Sequence, residues 1–267
     1  MDSKQLNTDL QEQEKKLQVF TLGQFSVVHP QGTIRSKDWG RDKTIQLFQF
    51  LITTRHQRAL HKEQIIHRLW PEADQKSGDR DFKVAMHGIN KVIEPDKASR
   101  SEAKYIIRQG LTYQLVTADI WIDSDALESY IAYGNQQLNS DPKVAKEQLY
   151  KAINLHKGNY LPNRLFADWC AEERERLQVL TLAAYISLAE LCLEDNPVES
   201  IRLSQQALLI DHTWEDAYRI QMEAYTLKGN RPLAIKTYAK CVKVLQKEFG
   251  IEPLPITKNL LASIKSK

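Results

Sequence analysis

Hydrophobic and polar positions follow two rhythms along this chain, and the change falls near residue 117. Residues 18–35, QVFTLGQFSVVHPQGTIR, mix β-branched and aromatic positions with Gly23 and the turn-like run His29-Pro30-Gln31-Gly32, which predicts short strands. Ile45, Phe48, Leu51 and Ile52 then recur at helical spacing and predict a first helix over 43–54. HKEQIIHRLWP supplies a second, short helix stopped by Pro71. Phe82, Ala85, Met86, Ile89, Val92 and Ile93 recur at threes and fours, the period of one buried stripe. A third helix is therefore predicted over 79–94, with Ser77 or Asp79 as its N-cap and Pro95 as its stop. After a loop rich in Lys, Arg and Ser (96–104), YIIRQGLTYQLV reads as a hairpin over 105–115, two short strands around Gln109-Gly110.

From Trp121 onward the pattern is nearly continuous helix, interrupted at GNYLP (158–162) and at Asn196-Pro197. LAELCLEDNPVESIRLSQQAL and MEAYTLKGNRPLAIKTYAKCV repeat at an offset of 34 residues. Leu193 aligns with Leu227, Asn196 with Asn230, Ile201 with Ile235 and Ala207 with Cys241. That period, with a small residue in the second helix, marks a tetratricopeptide-like helical hairpin. AKEQLYKAINLHKGNYLP adds a third candidate helix of the same kind, so a short α-solenoid is predicted.

Composition sharpens this division. Residues 18–117 hold sixteen Lys and Arg against ten Asp and Glu, whereas residues 118–267 hold eighteen against twenty. Five of the seven histidines also lie in the front part. One domain is thus the basic one, a hint of a polyanionic partner. Cys170, Cys192 and Cys241 are odd in number and each lies in an apolar helical pattern, so buried free thiols and a reducing, cytoplasmic setting are expected. Residues 1–17 read as a polar, disordered extension without a signal-peptide core, and no apolar run is long enough to span a bilayer. No nucleotide-cradling glycine loop, nucleophile elbow or metal-ligand spacing is present (His61 and His67 are six apart), so no catalytic residue, metal, cofactor or small-molecule ligand is assigned.

Strands, three helices and a hairpin, in that order, are the parts of a winged helix-turn-helix with an N-terminal sheet, whose third helix turns its polar face to the major groove. The expected fold is mainly α with a small β part: a winged helix over 18–117 and a tetratricopeptide-like solenoid over 118–267. LGQFSV, LHKEQIIHRLWP with Trp70, and the third helix ending VIEP carry a family resemblance in the front part; DIWIDSDALESYI, AINLHKGNYLP, DWCAEERERL and KEFGIEPLP carry it in the rear. Together they resemble a bacterial transcriptional activator domain joined to an OmpR-type winged helix, as in the antibiotic regulatory protein (SARP) family. The resemblance implies a regulator, an activator, that binds direct repeats in double-stranded promoter DNA. It also implies a rear domain that contacts RNA polymerase or a second copy in a homodimer or tandem arrangement. Where the family commonly has Gly-Tyr in the wing, this chain has Thr112-Tyr113.

Arg80, Lys83, His87, Asn90 and Lys91 line the polar side of the third helix, with no carboxylate between Asp81 and Glu94. Lys is a point-charge donor to phosphate or guanine, and Asn can bond adenine N6 and N7 together, so these five are the candidates for the major groove. Arg108 on the wing, and Arg41, Lys43 and Lys62 near the starts of the first and second helices, are candidate phosphate contacts. Trp70, Trp169 and Trp214 read as packing residues, and EERER (172–176) as a solvated helix face with charge pairing. A rival reading is a protein-interaction adaptor whose solenoid groove works while its winged helix no longer reads DNA.

Overall fold

Leu17 and Val19 are fully buried while Gln18 and Phe20 are half-exposed, the alternation of a strand packed on one face. The computed structural model describes residues 16–98 and 101–266. The extension expected over 1–17 lies outside the described residues as far as residue 15, as do residues 99 and 100 of the 96–104 loop. Leu17, expected in that extension, instead opens strand β1 (Leu17–Phe20). β1 pairs antiparallel with β2 (Ser26–His29), which pairs with β3 (Gly32–Ile34). On its other side β1 takes a parallel partner, β7 (Ile120–Ile122), giving the order β3-β2-β1-β7. Trp121, expected to open the helical region, lies instead in this short strand, because Ile120 and Ile122 bury their side chains beside Leu17 and Val19.

Three helices follow the first sheet: α1 (Asp42–Thr53), α2 (Lys62–Leu69) and α3 (Gln75–Ile93). A second sheet, ordered β4-β6-β5, joins β4 (Leu60–His61) to the hairpin β5 (Ile106–Gln109) and β6 (Thr112–Leu115). The α3 stripe is as expected: Phe82, Ala85, Met86, Ile89 and Ile93 are buried and Val92 partly so, with Leu47, Phe48, Leu51, Ile65 and Leu69 in the same core. Trp70 and Tyr113 both set ring edges against Phe82, and Trp39 lies between Phe25 and Phe48. The helix starts at Gln75, four residues before the expected 79. Its N-cap is Asp74, whose carboxylate accepts from the backbone N–H of Lys76 and Ser77, while Ser77 lies inside the helix and donates its hydroxyl back to Asp74.

The chain forms two compact units, and they do not follow a single cut at 117/118. The first holds the described residues up to Ala126 together with Lys157–Glu175; the second holds Leu127–His156 and Arg176 onward. Asp123 accounts for part of this. It is buried, and its carboxylate accepts from Thr21 N, Leu22 N, Ser124 N and the Thr21 hydroxyl at 2.6–2.9 Å. The GNYLP segment accounts for more. Gly23 N–H donates to Asn159 O, Leu161 N–H donates to Thr21 O, and the Tyr160 hydroxyl meets Thr53 Oγ1 at 2.8 Å. Leu161 has φ +44°, a left-handed geometry costly for a side-chain-bearing residue, and its side chain is wholly buried.

Helices α4 (Asp123–Gln137) and α6 (Ala171–Cys192) begin in the first unit and continue in the second. The second unit adds α5 (Pro142–Leu155), α7 (Pro197–Ile210), α8 (Glu215–Leu227), α9 (Arg231–Phe249) and α10 (Pro255–Ser266). The 34-residue repeat is visible in its caps. Asn196 and Asn230 each accept the backbone N–H three residues on, and each is followed by Pro at N1 or N2. Asp141 caps α5 in the same manner. Ala207 and Cys241, the aligned small residues, are both wholly buried, whereas Ile235 is more exposed than its counterpart Ile201. All three cysteines are buried and free.

Candidate nucleic-acid interface

The geometry of α3 is set by what lies behind it. A Cβ added to Gly88 would stand 2.9 Å from Thr44 Cγ2 on α1, and one added to Gly78 would stand 2.7 Å from Ile66 Cγ2 on α2. Both glycines therefore permit close helix packing, and Gly88 faces a neighbouring helix rather than solvent. At the far end Glu94 turns its carboxylate to the backbone N–H groups of Lys104 and Tyr105, fixing where the hairpin starts.

With the core side so occupied, the opposite side of α3 is left to solvent. Arg80, Lys83, His87 and Lys91 are exposed; Asn90 is half-buried. Arg80 donates through Nε to Asp81 at 3.0 Å, so the acid at the head of this face is turned to a base. Lys83, Met86, His87 and Asn90 line one wall of a groove whose other wall is Ile107, Arg108 and Gln109 of the hairpin. Asn90 Oδ1 is buried with no hydrogen-bond partner among the described residues.

The remaining candidates divide. Arg41 is exposed at the N-cap of α1. Arg108 is exposed but folded along the hairpin, its Nε donating to Gly110 O at 2.8 Å and its guanidinium over the Tyr113 ring. Lys43, though exposed as a residue, donates to Leu69 O at the end of α2 and lies over the Trp70 ring; partial desolvation of its ammonium there pushes its pKa down. Lys62 is held by Asp79 at 2.7 Å and is largely covered. Thr112 sits in an ordinary strand and donates its hydroxyl to Gln109 O at 2.8 Å, so the hairpin closes without a glycine at position 112, the positive φ of the turn falling to Gly110.

Two features escape the sequence pattern. Val84 is 44% exposed on the polar side of α3. The clue is present, since position 84 falls outside the apolar stripe. The other is the EERER run, which is more than a solvated face. Glu173 reaches Arg55, whose side chain is wholly buried and also bonds Asp125, Ser124 and Ile52 O; Arg174 bonds the carbonyls of Tyr160, Arg164 and Leu165; Arg176 pairs with Glu128. The three tryptophans do pack: Trp70 is buried, Trp169 meets Phe50 edge-on and Trp214 is partly buried at the start of α8. Among the described residues no helix is long and apolar enough to cross a membrane.

Residues 122–265 match the family model of the bacterial transcriptional activator domain. A solved structure of Mycobacterium tuberculosis EmbR in complex with a low-affinity phosphopeptide is similar over 94% of this chain, with TM-score 0.79 and 16% sequence identity. This chain spans 65% of that one. A search of curated proteins found no match.

Proposed function

The chain belongs to the bacterial transcriptional activator domain family, and on that premise we propose that it regulates transcription by reading promoter DNA with its winged helix. In this reading α3 lies in the major groove and the β5–β6 hairpin follows the backbone or the minor groove beside it. One observation carries it: the solvent side of α3, opposite the core-facing stripe, presents Arg80, Lys83, His87 and Lys91 beside a groove closed by Arg108 and Gln109. Asn90 fits the same picture. A buried carbonyl without a donor is costly, and rotating the amide outward would offer Oδ1 and Nδ2 together to an adenine edge.

Phosphate contacts fall to Arg41, Arg108 and the exposed Lys76 at the first turn of α3. Lys43 and Lys62, engaged with Leu69 O and Asp79, hold the helices in register instead. The helical unit supplies the protein contact, with RNA polymerase or a second copy bound to a direct repeat. Phe249, Ile251, Leu254 and Ile256, each more than half exposed within eight residues, favour such a contact there. The setting is the cytoplasm and the outcome activation.

The test is recovery of genomic fragments bound by the full chain in cells. The expected result is a short shared element, repeated in direct orientation. Fragments sharing none, with equal weak binding of every duplex, would leave the adaptor as the working reading.

A further inference from the structure

Val84 sits at the midpoint of α3, on the line Arg80–Val84–His87–Lys91 that the 3.6-residue turn draws down the helix opposite the buried stripe. Its three neighbours on that line are polar and exposed. Nothing in the core calls for an apolar residue at this position, and Val is a poorer helix former than the Lys, Arg or Gln that would suit a merely solvated face. The major-groove edges of the four bases are rows of donors and acceptors with one apolar feature, the C5-methyl of thymine. Resting on the reading above, in which α3 enters that groove, we propose that Val84 packs its methyls on a thymine C5-methyl and so fixes a T at one position of each half-site. The flanking Arg80, His87 and Lys91 hold the helix over the neighbouring phosphates and bases, and Val84 supplies discrimination that charge cannot.

The experiment selects bound duplexes from a random pool with the full chain, then replaces each thymine of the selected element by deoxyuridine, which removes only the methyl. One thymine per half-site is expected to lose about three- to fivefold in affinity on that replacement, the worth of one buried methyl group. Val84→Ala should bind the parent duplex weaker by a similar factor and become indifferent to deoxyuridine at that position alone. Lys91→Ala, by contrast, should weaken parent and substituted duplexes alike and keep their ratio. Ala is a good helix former at an exposed site, so the variant's fold is not at risk. If selective, salt-sensitive binding is found but no thymine shows a methyl effect that Val84→Ala abolishes, the assignment of Val84 is overturned while DNA reading stands. If no element is selected at all, both are overturned.

Discussion

Glu94 and Tyr105 are joined across the end of α3: the Glu94 carboxylate accepts the Tyr105 backbone N–H at 3.2 Å and that of Lys104 at 3.0 Å. Helix and hairpin, the two walls of the groove, are thereby held at one end by a single side chain. Glu94→Ala should cost about 1–2 kcal/mol, since two backbone donors lose a charged acceptor. Glu94→Gln keeps an acceptor and should recover part of it. Amide exchange at Lys104 and Tyr105 is the direct readout, and unchanged protection in Glu94→Ala would refute the role.

Gly88 carries the opposite kind of constraint. Alanine is intrinsically better in a helix by about 1 kcal/mol. Here, however, its Cβ would meet Thr44 Cγ2 at 2.9 Å, and Thr44 is a short, buried side chain with little room to move. Overpacking of this kind costs roughly 1–3 kcal/mol, so Gly88→Ala should be destabilising on balance. Thr44→Ser deletes the offending methyl. The double variant should be more stable than the two single changes sum to, as measured by denaturant unfolding.

Arg55 is a third position sensitive to change. Its guanidinium is wholly buried among Asp125, Glu173, Ser124 and the Ile52 carbonyl, and the paired carboxylates offset the cost of burying it. Removing one member of a buried ion network typically costs about 3–5 kcal/mol. Arg55→Ala should approach that figure, and Arg55→Lys should recover little, because one ammonium cannot meet all of these acceptors at once. Thermal unfolding of the two variants decides it.

Much of this architecture is readable in the sequence because it is local. The α3 stripe, the hairpin and the Asn196/Asn230 repeat depend on spacings of three to thirty-four residues. The sequence aligns Asn196 with Asn230 but does not mark them as N-caps, which the structure adds to their alignment. What escapes depends on distant partners. β7 is three residues long and exists because Ile120 and Ile122 register beside Leu17 and Val19, about a hundred positions earlier. The return of residues 157–175 to the first unit rests on Thr21, Gly23 and Thr53. The N-cap of α3 is expected at Ser77 or Asp79 and falls at Asp74, an equally competent cap by type that only the geometry selects. At the site, residue types identify cations but not their engagements. Lys43 and Lys62 resemble Lys83 in sequence, but their ammoniums are already engaged by Leu69 O and Asp79.

The thiols give a prediction on the alkaline side. Burial pushes Cys241 up to about 12 and raises Cys170 as well. Above the usual thiol range near 8.5, the unfolded chain ionises these groups while the folded chain keeps them protonated. Stability should therefore be intact below that pH and fall as pH rises toward about 12. Cys241→Ala, which copies the aligned Ala207, should soften the fall with little cost in packing. In the native protein none of the three thiols should react with an aromatic disulfide at pH 8 until denaturant is added; prompt reaction of any one would contradict its burial.

Charge offers the last separation, because it distinguishes cations that face solvent from those the fold already uses. Removing one cation that neutralises a phosphate should reduce the slope of log affinity against log salt by about 0.9. Arg41→Ala and Lys76→Ala should each do so and weaken all sequences alike. Lys83→Ala should do the same if it holds a phosphate, or relax preference at one guanine if it reads a base. Asn90→Ala should leave the slope unchanged and relax preference at one adenine, by about 1–3 kcal/mol. Lys43→Ala and Lys62→Ala should lower unfolding stability instead, since Leu69 O and Asp79 would be left without their ammonium partners, and should leave the slope as it was. Were the last two variants to flatten the salt dependence while Arg41→Ala and Lys76→Ala did not, the division between interface and scaffold would be reversed, and α3 would have to present a different face to the duplex.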